Sequence, residues 1–234
     1  MTDPNATTRQ TTARDAPPGR VRAVLFDLDG TLLDTIELIV ASYRHTARTC
    51  LGRDMDEADI LARLGEPLVV TMRDLSAGRV DELIAVYRQF NLAEHDRLVK
   101  LVPGVPDTLQ ALRNRGLRLA VVSSKIRHTV EKGLNLFRLA TFFDVVIGLE
   151  DCPAHKPDPG PLLEALHRLG VEPASAVMVG DSLADILAAR AAGVRSVAVG
   201  WSRLAPETIA AAAPDATISA MSELLDTIGL KDQA

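Results

Sequence analysis

Short apolar runs that end abruptly in polar residues alternate with helix-period stretches along most of the chain. Val21-Arg-Ala-Val-Leu-Phe26 stops at Asp27-Leu-Asp-Gly-Thr31, Leu117-Arg-Leu-Ala-Val-Val122 at Ser123-Ser124-Lys125, and Ala176-Val-Met-Val179 at Gly180-Asp181. Apolar runs of this length bounded by turn residues read as buried parallel strands. Further strands are predicted at 145–147 and 194–199, and helices at 107–115, 127–137, 161–169, 183–192 and 221–228. Between residues 35 and 100 the texture is helical, without strands. Ile36, Leu38, Ile39, Val40 and Tyr43 mark one helix there, Ile60, Leu61 and Leu64 a second, and Val80, Leu83, Ile84, Val86, Tyr87 and Phe90 a third. Gly65-Glu66-Pro67 breaks the pattern between helices. Repeated βα units imply a parallel sheet with right-handed crossovers. The chain therefore reads as an α/β core, residues 21–36 and 101–234, interrupted by an all-helical insert, residues 37–100. The polar, aperiodic residues 1–20 are expected to form a disordered tail.

Composition narrows the classes. Of 234 residues, 47% are hydrophobic and 24% charged, an ordinary globular balance. The net charge of −5 and the lack of a basic stripe argue against nucleic acid as a partner, because that affinity comes from neutralising phosphates with cations. No apolar run approaches the ~18–20 residues of a bilayer span, and the first ten residues lack the apolar segment of a secretory signal. Two cysteines, Cys50 and Cys152, are too few for a disulfide framework and suit a reducing, cytoplasmic setting. The sequence carries no signal for an oligomeric state.

Three predicted strands deliver polar groups at their carboxyl ends: Asp27, Ser123 and Asp181, with Asp29 and Asp185 following closely. In open α/β sheets the ligand crevice lies outside those ends, so the groups can converge there. Each aspartate alone is an ordinary helix or turn cap; the joint pattern is not explained that way. Two carboxylates ~4 Å apart repel by roughly 4 kcal/mol at an effective dielectric of ~20. A cluster of Asp27, Asp29, Asp181 and Asp185 therefore calls for a cation or a proton. An all-oxygen, cysteine-free ligand set favours a hard divalent ion, and few carboxylates with room for water favour Mg²⁺ over Ca²⁺. Such a pocket suits a phosphate, whose charge completes the coordination.

Asp27-Leu-Asp-Gly-Thr31, Ser123, Lys156-Pro157 and Gly180-Asp181-Ser-Leu-Ala-Asp185 resemble, in order, the four motifs of the haloacid dehalogenase superfamily. The likeness runs from about Val21 to Val199. It implies a Rossmann-like core with a helical cap, and a Mg²⁺-dependent phosphohydrolase working through an aspartyl-phosphate. Asp27, ionised at its reference pKa near 3.9, would attack phosphorus. Asp29 would protonate the leaving oxygen and then deprotonate water, which requires neighbouring negative charge to keep it protonated at first. Ser123, Ser124 and Lys156 would hold phosphoryl oxygens. Asp181 would complete the Mg²⁺ site with the Asp27 carboxylate and the Asp29 backbone carbonyl, with Asp185 supporting it.

The cap would close over the site and meet the leaving group, with Arg63 and Arg88 as cationic candidates for reading substrate. Lys125, Ser182 and His155 read as solvent-facing or locally hydrogen-bonded groups, and Trp201, Tyr43 and Tyr87 as packing residues. Within the superfamily, Leu32-Leu-Asp-Thr-Ile-Glu-Leu-Ile39, Tyr87-Arg-Gln-Phe-Asn91, Lys125-Ile-Arg-His-Thr-Val-Glu131 and Phe143-Asp-Val-Val146 resemble bacterial inorganic pyrophosphatases. The alternative is a phosphoglycolate phosphatase or other small phosphate-monoester phosphatase, although Ser124 stands where phosphoglycolate phosphatases commonly carry Asn. A sugar phosphomutase would keep the motifs, and a phospho-aspartate receiver domain shares the residue types but leaves the long insert without a role. The expected partner is a small phosphorylated substrate or pyrophosphate, with neither nucleic acid nor membrane.

Overall fold

All four residues of the first strand, β1 (Ala23–Phe26), are inaccessible to solvent in the computed structural model, which describes residues 20–230. The elements that follow in chain order are β2 (Leu33–Asp34), α1 (Ile36–Thr46), α2 (Glu57–Leu61), α3 (Leu68–Leu75), α4 (Val80–Leu98), β3 (Lys100–Leu101), α5 (Val105–Asn114) and β4 (Arg118–Val122). After these come α6 (Arg127–Leu136), β5 (Val145–Ile147), α7 (Gly160–Leu169), β6 (Ala176–Gly180), α8 (Leu183–Ala192), β7 (Arg195–Val199), α9 (Pro206–Ala211), β8 (Ala216–Ile218) and α10 (Leu224–Thr227).

The main sheet has the order β5-β4-β1-β6-β7-β8, with every pairing parallel. Successive side chains of a strand point to opposite faces, and both faces are buried. Val24, Phe26, Leu119, Val121, Val177 and Val179 enter one core with Leu109 and Leu112 of α5, Val130 and Leu134 of α6, and Leu224 of α10. Ala23, Leu25, Ala120, Val122, Ala176 and Met178 enter the other with Leu162 and Leu166 of α7 and Ala188 and Ala189 of α8. This two-sided burial is why the strands read as continuous apolar runs rather than alternating ones.

The helical segment has a core of its own, in which Ile36, Ile39, Val40 and Tyr43 of α1 meet Ile60, Met72, Leu83 and Tyr87. The Tyr43 and Tyr87 rings lie 4.9 Å apart, centroid to centroid. Leu38, on the other face of α1, belongs instead to the sheet core, so one helix serves both. The ends of the segment are joined by an antiparallel ribbon in which Leu33 faces Leu101 and Asp34 faces Lys100.

Several features depart from the expectations above. The ribbon strands β2 and β3 have two residues each, too short for any alternation to register. Helix α3, not expected from the sequence, is short and starts Leu-Val-Val-Thr, rich in β-branched residues, yet it turns Leu68, Met72 and Leu75 toward the core of the helical segment. Edge strand β8 and the short α9 were also unforeseen, and the expected final helix divides into a 3-10 turn, Met221–Glu223, and α10. The expected disordered tail lies, apart from the exposed Arg20, outside the described residues. Among the described residues no helix is long and apolar enough to cross a membrane.

Candidate active site

Registration of the three central strands brings their polar ends together. Phe26 pairs with Val121 of β4 and with Val179 of β6, so Asp27, Ser123 and Asp181 emerge side by side at the carboxyl edge. The Asp27 amide donates to the Val179 carbonyl at 2.9 Å and the Ser123 amide to Ile147 at 3.0 Å, extending the ladder into the site. Lys156 arrives from the loop between β5 and α7, and Asp185 from the first turn of α8.

Asp27, Ser123, Lys156, Asp181 and Asp185 are all buried. The Lys156 ammonium donates to Asp27 Oδ1 at 2.7 Å, to Asp185 Oδ1 at 2.6 Å and to the Val122 carbonyl at 2.9 Å, which uses its three donors. Asp185 Oδ2 accepts from the Ser182 amide at 3.1 Å and the Ser182 hydroxyl at 2.7 Å, while Ser182 Oγ caps the Asp185 amide. This reciprocal capping box fixes the start of α8 and the Asp185 carboxylate together. Asp181 is nearly as buried, yet its carboxylate accepts no hydrogen bond among the described residues.

Carboxylate oxygens of Asp27, Asp181 and Asp185 lie within 4.8 Å of one another, close enough to hold one metal ion. Three carboxylates against one ammonium leave two negative charges, which a divalent cation would cancel. The titration behaviour carries the same message. Burial, together with the charges of Asp185 and Asp29, raises Asp27 to about 7 in spite of Lys156. Burial and the charges of Asp27 and Asp185 push Asp181 well above the usual carboxylate range. Burial alone would lower Lys156, but Asp185 and Asp27 carry it above its ordinary value. A partnerless buried carboxylate beside two others, with only oxygen donors, fits a hard divalent ion.

Two features of the site go beyond what the residue types alone suggest. Without a bound cation Asp27 is not the strong acid its reference value suggests, because burial outweighs its ammonium partner. The carboxylates that converge are those of Asp27, Asp181 and Asp185, while the Asp29 carboxylate is engaged elsewhere. Asp29 Oδ1 accepts from Thr35 Oγ1 and from Lys125 Nζ, both at 2.6 Å, so its carboxylate meets a cation where negative charge was expected. The Lys125 ammonium is thus not solvent-facing: it reaches across 96 positions of sequence to Asp29, while the residue's own amide donates locally to Ser123 Oγ at 3.2 Å. Thr35 and Lys125 are the residues that sequence reasoning passed over, and their only signal is adjacency to the aspartate and serine motifs.

Gly30 turns the chain after Asp29 with φ +77°, and a Cβ there would run into the Asp181 carboxylate. A glycine is therefore required both for the left-handed backbone and for the close approach. Trp201 packs on the sheet core, as expected, and its Nε1 holds the Gly30 carbonyl at 2.9 Å. Over the cluster lies a cavity of about 130 Å³. Asp27, Asp29, Ser123, Ser124, Lys125 and Lys156 form its floor; its roof comes from the helical segment, including Tyr43, Arg63, Glu66, Tyr87, Arg88 and Asn91. Ser182 forms part of the wall, whereas His155 does not reach the cavity.

Residues 24–199 match the family described as haloacid dehalogenase-like hydrolase. A curated relative, the pyrophosphatase PpaX of Bacillus velezensis, is 43% identical over 212 residues, spanning 91% of this chain and 98% of its own. A haloacid dehalogenase-like family hydrolase of Streptococcus pneumoniae superposes with a TM-score of 0.79 at 26% identity, covering 88% of this chain and 97% of that one. A predicted phosphoglycolate phosphatase of Haemophilus somnus gives the same TM-score and coverage at 27% identity. With a parallel sheet of this order, acidic groups at its carboxyl edge and a match over most of its length, the chain belongs to the haloacid dehalogenase-like hydrolases.

Proposed function

We propose that the protein is a Mg²⁺-dependent inorganic pyrophosphatase that transfers one phosphoryl group to Asp27 before releasing it to water. The observation that carries the reading is the buried Asp27–Asp181–Asp185 cluster around Lys156, roofed by a cavity of about 130 Å³. Its floor of charged and hydroxyl groups and its roof with two arginines suit a small anionic substrate. The likeness to PpaX supports the choice of leaving group.

Asp27 and Asp181 would hold the Mg²⁺, with Asp185 alongside and the Asp29 carbonyl completing the set. Bound there, the ion neutralises the carboxylates and the phosphoryl oxygens. The residues of the chain do the rest. Lys156 fixes Asp27 Oδ1, which leaves the other carboxylate oxygen for attack on phosphorus; as the new O–P bond forms, the bond to the bridging oxygen breaks. Asp29, ion-paired with Lys125, takes a proton from the water that opens the acyl phosphate, while the first phosphate departs as an anion. The Ser123 hydroxyl and the Ser124 amide face the transferring oxygens, where donors stabilise developing charge. Residues 37–100 act as a cap on a core of residues 21–36 and 101–234, a division supported by the separate apolar core and the ribbon at its ends. The two free thiols support a reducing, cytoplasmic setting.

The test is phosphate release from pyrophosphate, phosphoglycolate and sugar phosphates, with and without Mg²⁺. Preferred turnover of pyrophosphate that requires Mg²⁺ and vanishes in Asp27→Ala is the expected result. Preference for phosphoglycolate would replace the substrate while keeping the chemistry, and Mg²⁺-independent turnover would reject both.

A further inference from the structure

The roof of the cavity carries two arginines, and they are not equivalent. Arg63 is occupied: its Nη1 lies 2.9 Å from Asp74 Oδ2 and 3.7 Å from Glu66 Oε2. Arg88, on α4 one residue past the buried Tyr87, lines the same cavity with neither a hydrogen bond nor an ion pair among the described residues. On the same helix, the Asn91 side-chain amide, which also lines the cavity, already donates to Ser42 Oγ at 3.1 Å. The remaining roof around them is largely apolar, with Ile39, Leu64 and Leu68 in the lining.

Charge balance gives the free guanidinium a role. The floor holds the attacking carboxylate, so a pyrophosphate that presents one phosphorus to Asp27 must point the other toward the roof. The leaving group is then a multiply charged phosphate in a narrow space beneath apolar side chains. It is costly there without a cationic partner. Guanidinium is suited to the task because its fork of N–H donors matches two phosphate oxygens at once.

We propose that Arg88 is the specificity-determining residue for the leaving group: it binds the departing phosphate of pyrophosphate and thereby favours substrates whose leaving group is anionic. The inference rests on the pyrophosphatase reading of the site above. It does not require Arg88 to touch the transferring phosphoryl group, and this separates it from the residues of the floor. Arg88 is exposed at the mouth of the cavity, so its replacement leaves the apolar core intact.

The experiment compares kcat/KM for pyrophosphate and for p-nitrophenyl phosphate, whose leaving group carries no phosphate, in the wild type, Arg88→Gln and Arg88→Lys with saturating Mg²⁺. The expected result is a fall of about 10- to 100-fold for pyrophosphate in Arg88→Gln, corresponding to roughly 1.4–2.7 kcal/mol. Turnover of p-nitrophenyl phosphate should stay within about threefold of the wild type, and Arg88→Lys should lie between the wild type and Arg88→Gln on pyrophosphate. An equal fall on both substrates, or no fall on either, overturns the assignment. A wild type that turns over p-nitrophenyl phosphate but not pyrophosphate instead overturns the reading on which it rests, so the two failures are distinct.

Discussion

Replacing Lys156 with methionine removes a charge while keeping most of the side-chain volume. In the native site the ammonium is 4% exposed and sits 2.7 Å from Asp27 Oδ1, 2.6 Å from Asp185 Oδ1 and 2.9 Å from the Val122 carbonyl. Its loss leaves three close carboxylates and a backbone carbonyl buried with no cation, and only Ser182 still donates to one of them. Removing one partner of a buried ion pair typically costs about 3–5 kcal/mol. For a domain of this size, 1 kcal/mol corresponds to roughly 2–4 °C in melting temperature, so Lys156→Met should melt about 6–20 °C below the wild type in a metal-free buffer. The loss should shrink when MgCl₂ is added, because a cation takes over part of the compensation. It should also shrink in Lys156→Met/Asp185→Asn, where one of the stranded charges is gone. Scanning calorimetry on the three proteins, with and without MgCl₂, reads all of this. A melting point within about 2 °C of the wild type in metal-free buffer would refute the idea that Lys156 holds the acidic cluster together.

Three further perturbations test other parts of the site. Asp29→Asn should slow phosphate release by about 10²–10⁴-fold, the usual contribution of a general acid–base group, while the Asn oxygen keeps an acceptor for Thr35 and Lys125; an unchanged rate would remove its proton-transfer role. Gly30→Ala puts a Cβ on a φ of +77° and into the Asp181 carboxylate, so melting should fall by several degrees and Mg²⁺-dependent turnover by at least tenfold; wild-type turnover would show that the Asp181 position is not critical. Burial of His95 lowers its affinity for protons in spite of its contact with Asp96. The folded protein then binds fewer protons there than the unfolded chain, so this contribution is complete above about pH 6.5 and is lost as pH falls below it. Urea midpoints at pH 7.5 and 5.5 should therefore diverge more in the wild type than in His95→Gln, and equal divergence would show that His95 is not the group responsible.

The fold was legible in the sequence where burial is two-sided and terminates sharply. Ala23–Phe26 and Ala176–Gly180 are apolar on both faces and switch to aspartate within a residue, which places both the strand and its functional end. Strand Val145–Ile147 and helix Leu183–Ala192 fall where the pattern put them, the helix delimited by the Ser182 cap and by Gly193 in a left-handed conformation. The ribbon of Leu33–Asp34 with Lys100–Leu101 was not legible, because its register is set by two distant dipeptides meeting rather than by local periodicity. Within the site, residue types placed the acidic cluster, but they could not say which carboxylates face each other. The Asp29 carboxylate is held by Lys125 and Thr35, neither of which carries an acidic signature that would mark it from sequence. Likewise the rise of Asp27 to about 7 is a consequence of burial, which the reference value of a free carboxyl does not contain.

The central claim is that Asp27 itself takes up the phosphoryl group, and it is read most directly by acid-quenching the enzyme during turnover with Mg²⁺ and pyrophosphate and mapping its peptides by mass spectrometry. One added phosphoryl group is expected on the peptide bearing Asp27, removed by hydroxylamine and absent from Asp27→Asn. Rapid phosphate release by an Asp27→Ala protein, with no such peptide formed by the wild type at any quench time, would contradict it.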